Sequence, residues 1–291
     1  MIKLIASDMD GTLLNASHEI SEENIAAIQH AQSLGITVVI ATGRAFYEAN
    51  EPVEKAGLKM PYICLNGAEV RDETHNILNT SHLNDALINK ITQALNEEDI
   101  YYQVYTNLGI YTEDPQRDLD IYIDIAEQGG QEADVEKIKA GIQGRIDNGS
   151  LKVVDNYDDI GNVPGEIVMK ILAFDGDLEK IERVSAKLAQ SPNLAISSSS
   201  RGNIEITHSD AQKGNALEMI AYQLNIDMKD VLAVGDNLND LSMLSRVGYP
   251  VAMQNAIDEL KEIAIHITDT NEQSGVGKAI EHFIKAENIN S

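Results

Sequence analysis

The sequence predicts an α/β protein, a core built on a parallel sheet and interrupted by an inserted α+β module. Three observations predict it. Short apolar or β-branched runs at 3–7, 36–41 and 231–234 each lead into a polar turn containing glycine. Apolar residues at helical spacing separate the first two runs, and strand, helix, strand in that order implies a parallel pair with a right-handed crossover. From about residue 83 the pattern changes to hairpins with interspersed helices, the mark of an antiparallel α+β unit.

At 291 residues the chain can form one large domain or two ordinary ones. It is 43% hydrophobic but has no Trp and only three Phe, so Ile, Leu, Val and Ala must fill the core. A formal net charge of −25 repels nucleic acid and anionic membrane, and neither is expected as a partner. The same charge repels a phosphorylated ligand at long range, so an anion site must carry its own local cation. The single cysteine, Cys64, lies in the apolar run 62–65 and reads as core filler in a reducing compartment. No apolar segment approaches the ~18 residues of a membrane span. With an acidic motif already at residue 8, no signal peptide is expected. The expectation is a cytoplasmic monomer or weak homo-oligomer.

Taken in order, the run 3–7 is too short for a helix and reads as a buried strand. It ends in Asp8-Met9-Asp10-Gly11-Thr12, two carboxylates followed by a turn glycine and a small hydroxyl. Ligands bind at the C-terminal ends of strands in open α/β sheets. Two carboxylates there need positive charge between them, and a hard cation with oxygen ligands meets that need, Mg2+ being usual beside phosphate. For the pair alone, a solvated Asp-Gly turn is the alternative.

Residues 21–34 read as a helix ended by Gly35, and 36–41 as a second strand running into Thr42-Gly43-Arg44. Thr42 can offer its hydroxyl to a phosphoryl oxygen, and Gly43 lets a backbone N–H approach closely; a helix cap at Thr42 is the alternative. Arg44 either touches substrate or braces the acidic rim. A third strand, 61–65, ends in Asn66-Gly67, a strong turn signal, after which 68–70 can return antiparallel.

The module opens with a helix at 83–96 and a hairpin of 101–105 with 110–112. Helical fragments at 117–128 and 134–140 lie in a polar, poorly periodic stretch, 115–165. A strand at 167–174, a helix at 177–190 and a hairpin of 194–199 with 203–207 follow. Arg201, at that hairpin's tip, is a candidate substrate contact or an ordinary solvated arginine. Tyr101, Tyr102 and Tyr105 are either module core or a surface on which a sugar stacks.

Lys213 precedes a helix at 215–224, near its positive end. Its compact ammonium suits a phosphoryl group and can hold an aspartate ionised. The strand 231–234 leads into Gly235-Asp236-Asn237-Leu238-Asn239-Asp240, placing Asp236 at a strand tip as Asp8 is. Asp236 and Asp240 are four apart and can share a face, although an acidic helix start is an alternative. Short strands at 251–253 and 264–268 and a helix at 278–286 complete the chain, with His266 read as structural. No His or Cys cluster suggests zinc.

Four stretches, residues 8–14, 41–44, Lys213-Gly214 and 235–240, resemble in order the four motifs of the haloacid dehalogenase superfamily in its phosphatase form. Ala41-Thr42-Gly43-Arg44 and the place of the insertion are similar to its Cof-type members, subclass IIB. The resemblance implies a Rossmann-like three-layer core, residues 1–82 and 189–291, carrying an inserted C2-type cap, 83–188, that sets specificity. It implies that Asp8 is the nucleophile and Asp10 the general acid and base. It implies phosphate contacts from Met9, Thr42, Gly43, Lys213 and Asn239. Mg2+ would be held by Asp8, Asp236 and the backbone carbonyl of Asp10, with Asp240 supporting the metal's waters or Lys213. Asn66 would lie near the substrate cleft.

The chemistry agrees, because a carboxylate is a competent nucleophile at phosphorus once a cation screens the approach of two anions. Like-charge crowding that raises the pKa of Asp10 would help it carry a proton. The expected function is a Mg2+-dependent phosphomonoesterase for small phosphorylated metabolites, sugar phosphates first. A nucleotide or cofactor phosphate is the alternative substrate, and a non-catalytic phosphometabolite-binding protein a distant alternative. A dehalogenase needs neither Asp10 nor a cation, and no Gly-x-Gly-x-x-Gly follows the first strand to suggest a dinucleotide enzyme.

Overall fold

A computed structural model describes residues 1–128, 133–157, 160, 163–199 and 202–289. The chain divides into two compact units, Met1–Ser81 with Ser209–Ser291, and His82–His208.

The first unit is organised around β1 (Leu4–Ser7), which is wholly buried. It pairs in parallel with β2 (Thr37–Ala41) on one side and β12 (Val231–Gly235) on the other. β3 (Tyr62–Cys64) extends the parallel sheet beyond β2, and β13 (Tyr249–Ala252) and β14 (His266–Ile267) extend it beyond β12. β4 (Glu69–Arg71) and β5 (Ile77–Thr80) close one edge antiparallel. The order is β14-β13-β12-β1-β2-β3-β4-β5. The chain leaves β1 toward one edge and later returns to its other side, so the strand order reverses at β1, where a crevice opens at the carboxyl ends.

The β1 side chains are buried on whichever face they point to, and a fully buried Leu4 or Ile5 contributes about 1.5–3 kcal/mol. Ser21 caps α1 (Glu22–Ser33) by accepting the Asn24 N–H, and α1 packs against α10 (Gly275–Ile289). α2 (Phe46–Lys55) links β2 to β3; the sequence reading passed over it, and it carries Pro52 in its interior. α7 (Lys213–Gln223) packs on α8 (Leu241–Leu244), and α9 (Asp258–Ile263) joins β13 to β14. Right-handed crossovers put the helices after β1 and β2 on one face and those after β12 and β13 on the other, giving three layers. Cys64 is fully buried, and no described helix is long and apolar enough to cross a membrane.

The second unit holds a six-stranded sheet in the order β10-β11-β9-β6-β7-β8. Its strands are β6 (Tyr101–Thr106), β7 (Gly109–Thr112), β8 (Leu151–Val153), β9 (Val168–Phe174), β10 (Leu194–Ser197) and β11 (Asn203–His208). α3 (Asp85–Glu97) and α6 (Leu178–Leu188) supply Leu87, Ile91, Leu95, Val184 and Leu188 to a core shared with Val104, Ile171 and Ile206. The poorly periodic stretch contains α4 (Pro115–Gln128) and α5 (Val135–Asp147). The module therefore ends at 208, not 188. β10 pairs with β11 and β11 with β9, all antiparallel, and the expected boundary would cut these strands from the sheet. Tyr101, Tyr102 and Tyr105 are all buried, Tyr102 stacked on Tyr157 with centroids 4.8 Å apart.

Asp118 on α4 is 1% exposed and accepts hydrogen bonds from the Tyr101 hydroxyl and from Gln103 Nε2 at 2.7 Å. Its second oxygen has no partner. Burial raises its carboxyl above the ordinary value of 3.8, against the hydrogen bonds of Tyr101, Gln103 and Thr112. The folded chain thus holds this proton more tightly than the unfolded chain. The associated stability is present at low pH and is lost as pH rises from about 4 through the raised folded value. Asp118→Asn is expected to lift the thermal midpoint at pH 8 by ~2–4 °C, the scale of about 1 kcal/mol in a chain of this size. The gain should shrink toward pH 4. Calorimetry of both proteins at the two pH values checks it, and a lower midpoint for the variant at both would contradict it.

Candidate active site

The register of the sheet builds the site. Ser7 lies beside Ile40 on β2 and Val234 on β12, and the Asp8 N–H donates to the Val234 carbonyl at 3.0 Å. Asp8, Thr42 and Asp236 are therefore each the first residue past one of three adjacent strands, Asp8 one register step before the other two. Beyond Asp8 the chain makes a wide turn, closed by the Leu14 N–H donating to the Met9 carbonyl at 2.9 Å. Gly11 sits in this turn at φ +75°, and a Cβ there would fall 2.4 Å from Asp236 Oδ2, so glycine lets the turn pass the carboxylate.

Lys213 is the first residue of α7 and is wholly buried. Its Nζ donates to Asp8 Oδ1 at 2.6 Å and to Asp240 Oδ1 at 2.7 Å. The other Asp240 oxygen accepts the backbone N–H groups of Asp236 at 2.9 Å and Asn237 at 3.1 Å. This carboxylate is thus spent on holding Lys213 and the 235–240 turn. A Cβ on Gly235 would lie 2.5 Å from its Cγ, so the turn closes only around a glycine.

Asp236 Oδ1 accepts the Thr12 hydroxyl at 2.7 Å. Carboxylate oxygens of Asp8 and Asp236 lie within 4.8 Å of each other. Burial, then Asp240 and Asp236, push the Asp8 carboxyl well up, against Lys213. Burial and Asp240 push Asp236 up to about 6, moderated by Thr12, Lys213 and Asp8. Burial opposes the Lys213 ammonium, but Asp240 and Asp8 outweigh it and raise its pKa.

One ligand atom each from Asp8, Asp236 and Asp240 lies within 4.8 Å of the others. Asp240 is already committed, which leaves Asp8 and Asp236 facing each other with one ammonium beside them. Two such carboxylates need a shared proton or a cation, and hard oxygen donors fit a hard divalent ion.

The Asp10 side chain stands outside this cluster. Arg44 forks onto it, Nε to Oδ2 at 2.7 Å and Nη2 to Oδ1 at 2.5 Å. Burial alone would raise its carboxyl, but the Arg44 hydrogen bonds and charge, then His18 and Lys213, outweigh it and lower the pKa. The expectation that crowding raises Asp10 fails, because the turn carries its side chain away from Asp8 and toward a guanidinium. A metal contact from Asp10 can come only from its carbonyl.

The structure also places the remaining candidates. Thr42 is buried, and its Oγ1 accepts the Arg44 N–H at 3.1 Å, which leaves the hydroxyl hydrogen to donate. Gly43 follows it in the same turn. Asn66 is buried at φ +57°, and its Oδ1 accepts Asn239 Nδ2 at 3.4 Å, which joins the Asn-Gly turn to the 235–240 turn. The Met9 side chain is buried in the core, so only its backbone amide is available to a ligand. Arg201 lies outside the described residues. His266 stacks on His282 at 4.4 Å and stays structural.

Sequence reasoning missed Asn255, whose Nδ2 donates to the Gly11 carbonyl at 2.8 Å and pins the Asp10–Gly11 turn. It also missed the duty of Thr12 on Asp236. Nothing local to Asn255 signals its role; Thr12 stood in plain view as a hydroxyl beside the aspartate pair.

A model of haloacid dehalogenase-like hydrolases matches residues 5–280 of this chain. The chain belongs to that family. The Cof-type resemblance of its motifs holds as well. This haloacid dehalogenase-like hydrolase is 35% identical over 285 residues to Phosphatase YwpJ of Bacillus subtilis (strain 168), covering 97% of this chain and 100% of the relative. It is 31% identical over 287 residues to 5-amino-6-(5-phospho-D-ribitylamino)uracil phosphatase YwtE of the same organism, covering 98% and 99%. Among solved structures, a haloacid dehalogenase-like hydrolase from B. subtilis superposes with a TM-score of 0.87 at 35% identity, over 97% of this chain and 99% of that one.

Proposed function

We propose that this chain hydrolyses small phosphorylated metabolites, sugar phosphates first, with Mg2+ as cofactor and through an aspartyl-phosphate on Asp8. Its family and its phosphatase relatives make it a phosphoric monoester hydrolase of the haloacid dehalogenase type. The metal, the substrate and the covalent route are the proposal. The observation that carries it is the Asp8 carboxylate, held at 2.6 Å by buried Lys213 and faced by Asp236, with Asp10 two residues further along the same turn.

Asp8, Asp236 and the Asp10 carbonyl would hold Mg2+, which when bound supplies positive charge between the carboxylates and the phosphoryl oxygens. Lys213 and the Thr42 hydroxyl bind and orient the phosphoryl group, with Asn239 and the amides of Met9 and Gly43 beside them. Asp8 attacks phosphorus as the bond to the leaving oxygen breaks, and Asp10 gives that oxygen a proton. Asp10 then takes a proton from the water that attacks the phosphorus, the bond to Asp8 breaks and inorganic phosphate leaves. The inserted unit supplies substrate selectivity.

A second reading is a cofactor-precursor phosphate. It is favoured because YwtE is named for a phosphate carried on a ribityl chain attached to a uracil.

Phosphate release from an aryl phosphate should cease with EDTA and return with Mg2+. Turnover that survives exhaustive chelation would remove the metal assignment. A panel of sugar, polyol, nucleotide and cofactor-precursor phosphates then ranks the substrate classes, and absence of turnover throughout favours a binding protein.

A further inference from the structure

The Asp10 side chain is about half exposed at the rim, where it meets Arg44 and, at 4.0 Å, His18. A carboxylate so placed has freedom to turn. A general acid and base cannot use that freedom, because an error of about 1 Å in placing a reacting group costs on the order of 10²-fold.

Arg44 removes it. Two of its nitrogens take one Asp10 oxygen each, at 2.7 and 2.5 Å. Arg44 is itself pinned at three points. Its N–H donates to Thr42 Oγ1 at 3.1 Å, its carbonyl accepts the Leu65 N–H at 3.0 Å, and its Nη1 donates to the Glu48 carbonyl at 3.4 Å. The Arg44 side chain is only 23% exposed. Order thus passes from the end of β2 through one rigid planar group to Asp10. A lysine would supply the charge without the two-point geometry.

We propose that Arg44 is a positioning residue that fixes the Asp10 carboxylate for proton transfer, and is not a substrate contact. The inference rests on the phosphatase reading and on the role of Asp10 in it. Protons balance as already set out: Asp10 gives one to the leaving oxygen, recovers one from the attacking water, and Arg44 gains and loses none.

The test compares two substrates in Arg44→Met and Arg44→Lys. An alkyl phosphate needs a proton on its leaving oxygen, and a nitroaryl phosphate does not. For Arg44→Met, kcat on the alkyl phosphate should fall ~10²-fold with KM within about threefold, since the variant misplaces the proton donor of the transition state and leaves substrate binding intact. With the nitroaryl phosphate the first turnover should survive, while the steady state slows because water activation still needs Asp10. Arg44→Lys should recover part of the alkyl activity at an unchanged thermal midpoint.

A rise in KM shared by both substrates, with kcat kept, would make Arg44 a substrate contact and overturn the proposal. So would an equal loss on both substrates that tracks a lowered midpoint, which is the behaviour of a structural arginine. A wild-type protein that turns over neither substrate instead refutes the phosphatase reading, and the role of Arg44 with it.

Discussion

Asp8→Asn is expected to leave a folded protein that releases phosphate at least on the order of 10⁴-fold more slowly, the scale on which losing a nucleophile acts. The amide oxygen can still accept the Lys213 hydrogen bond, now made at 2.6 Å, but neither amide atom attacks phosphorus. One negative charge also leaves a buried group that holds Asp236 and Asp240. The thermal midpoint should therefore hold or rise, which separates lost chemistry from lost fold. Asp10→Asn should lose less, ~10²–10⁴-fold, because it removes only acid and base assistance. Wild-type turnover in Asp8→Asn would end the covalent route.

Lys213→Met is expected to damage both stability and activity. Lys213 is 0% exposed and is hydrogen-bonded to two carboxylates. Removing one partner of a buried ionic group costs about 3–5 kcal/mol, because the remaining charges are left uncompensated. In a chain this long, that is a fall of roughly 10 °C in thermal midpoint. Mg2+ should restore part of it, since a second source of positive charge then faces Asp8 and Asp236. Calorimetry with and without Mg2+ checks both statements. A midpoint within a degree or two of wild type would show that Lys213 is not the main counter-charge of the cluster.

What the sequence disclosed follows from the rule that parallel strands end at one rim. Once 3–7, 36–41 and 231–234 are read as parallel strands, Asp8, Thr42 and Asp236 must converge, and the register brings them within one residue step of each other. Lys213 was legible for a different reason: a chain of net charge −25 needs a local cation wherever it handles phosphate. That Arg44 braces the acidic rim was one of its two readings, but its fork onto Asp10 in particular was not legible, because it depends on which way the Gly11 turn carries a side chain. Burial and then crowding therefore raise Asp8 and Asp236, while Arg44 holds Asp10 low. The end of the inserted unit was misplaced by 20 residues, since hairpin patterning at 194–208 is the same whether the hairpin stands alone or extends a sheet through β9. Asn255 reaches Gly11 across 244 residues of chain, and no local pattern records that.

The stereochemical course at phosphorus tests the central claim most directly. Transfer to Asp8 and then to water is two in-line displacements, each inverting the configuration. Hydrolysis of a monoester made chiral at phosphorus with sulfur and oxygen isotopes should therefore release phosphorothioate with configuration retained. Inversion would mean that water attacks the substrate in a single step, and Asp8 would not be the nucleophile.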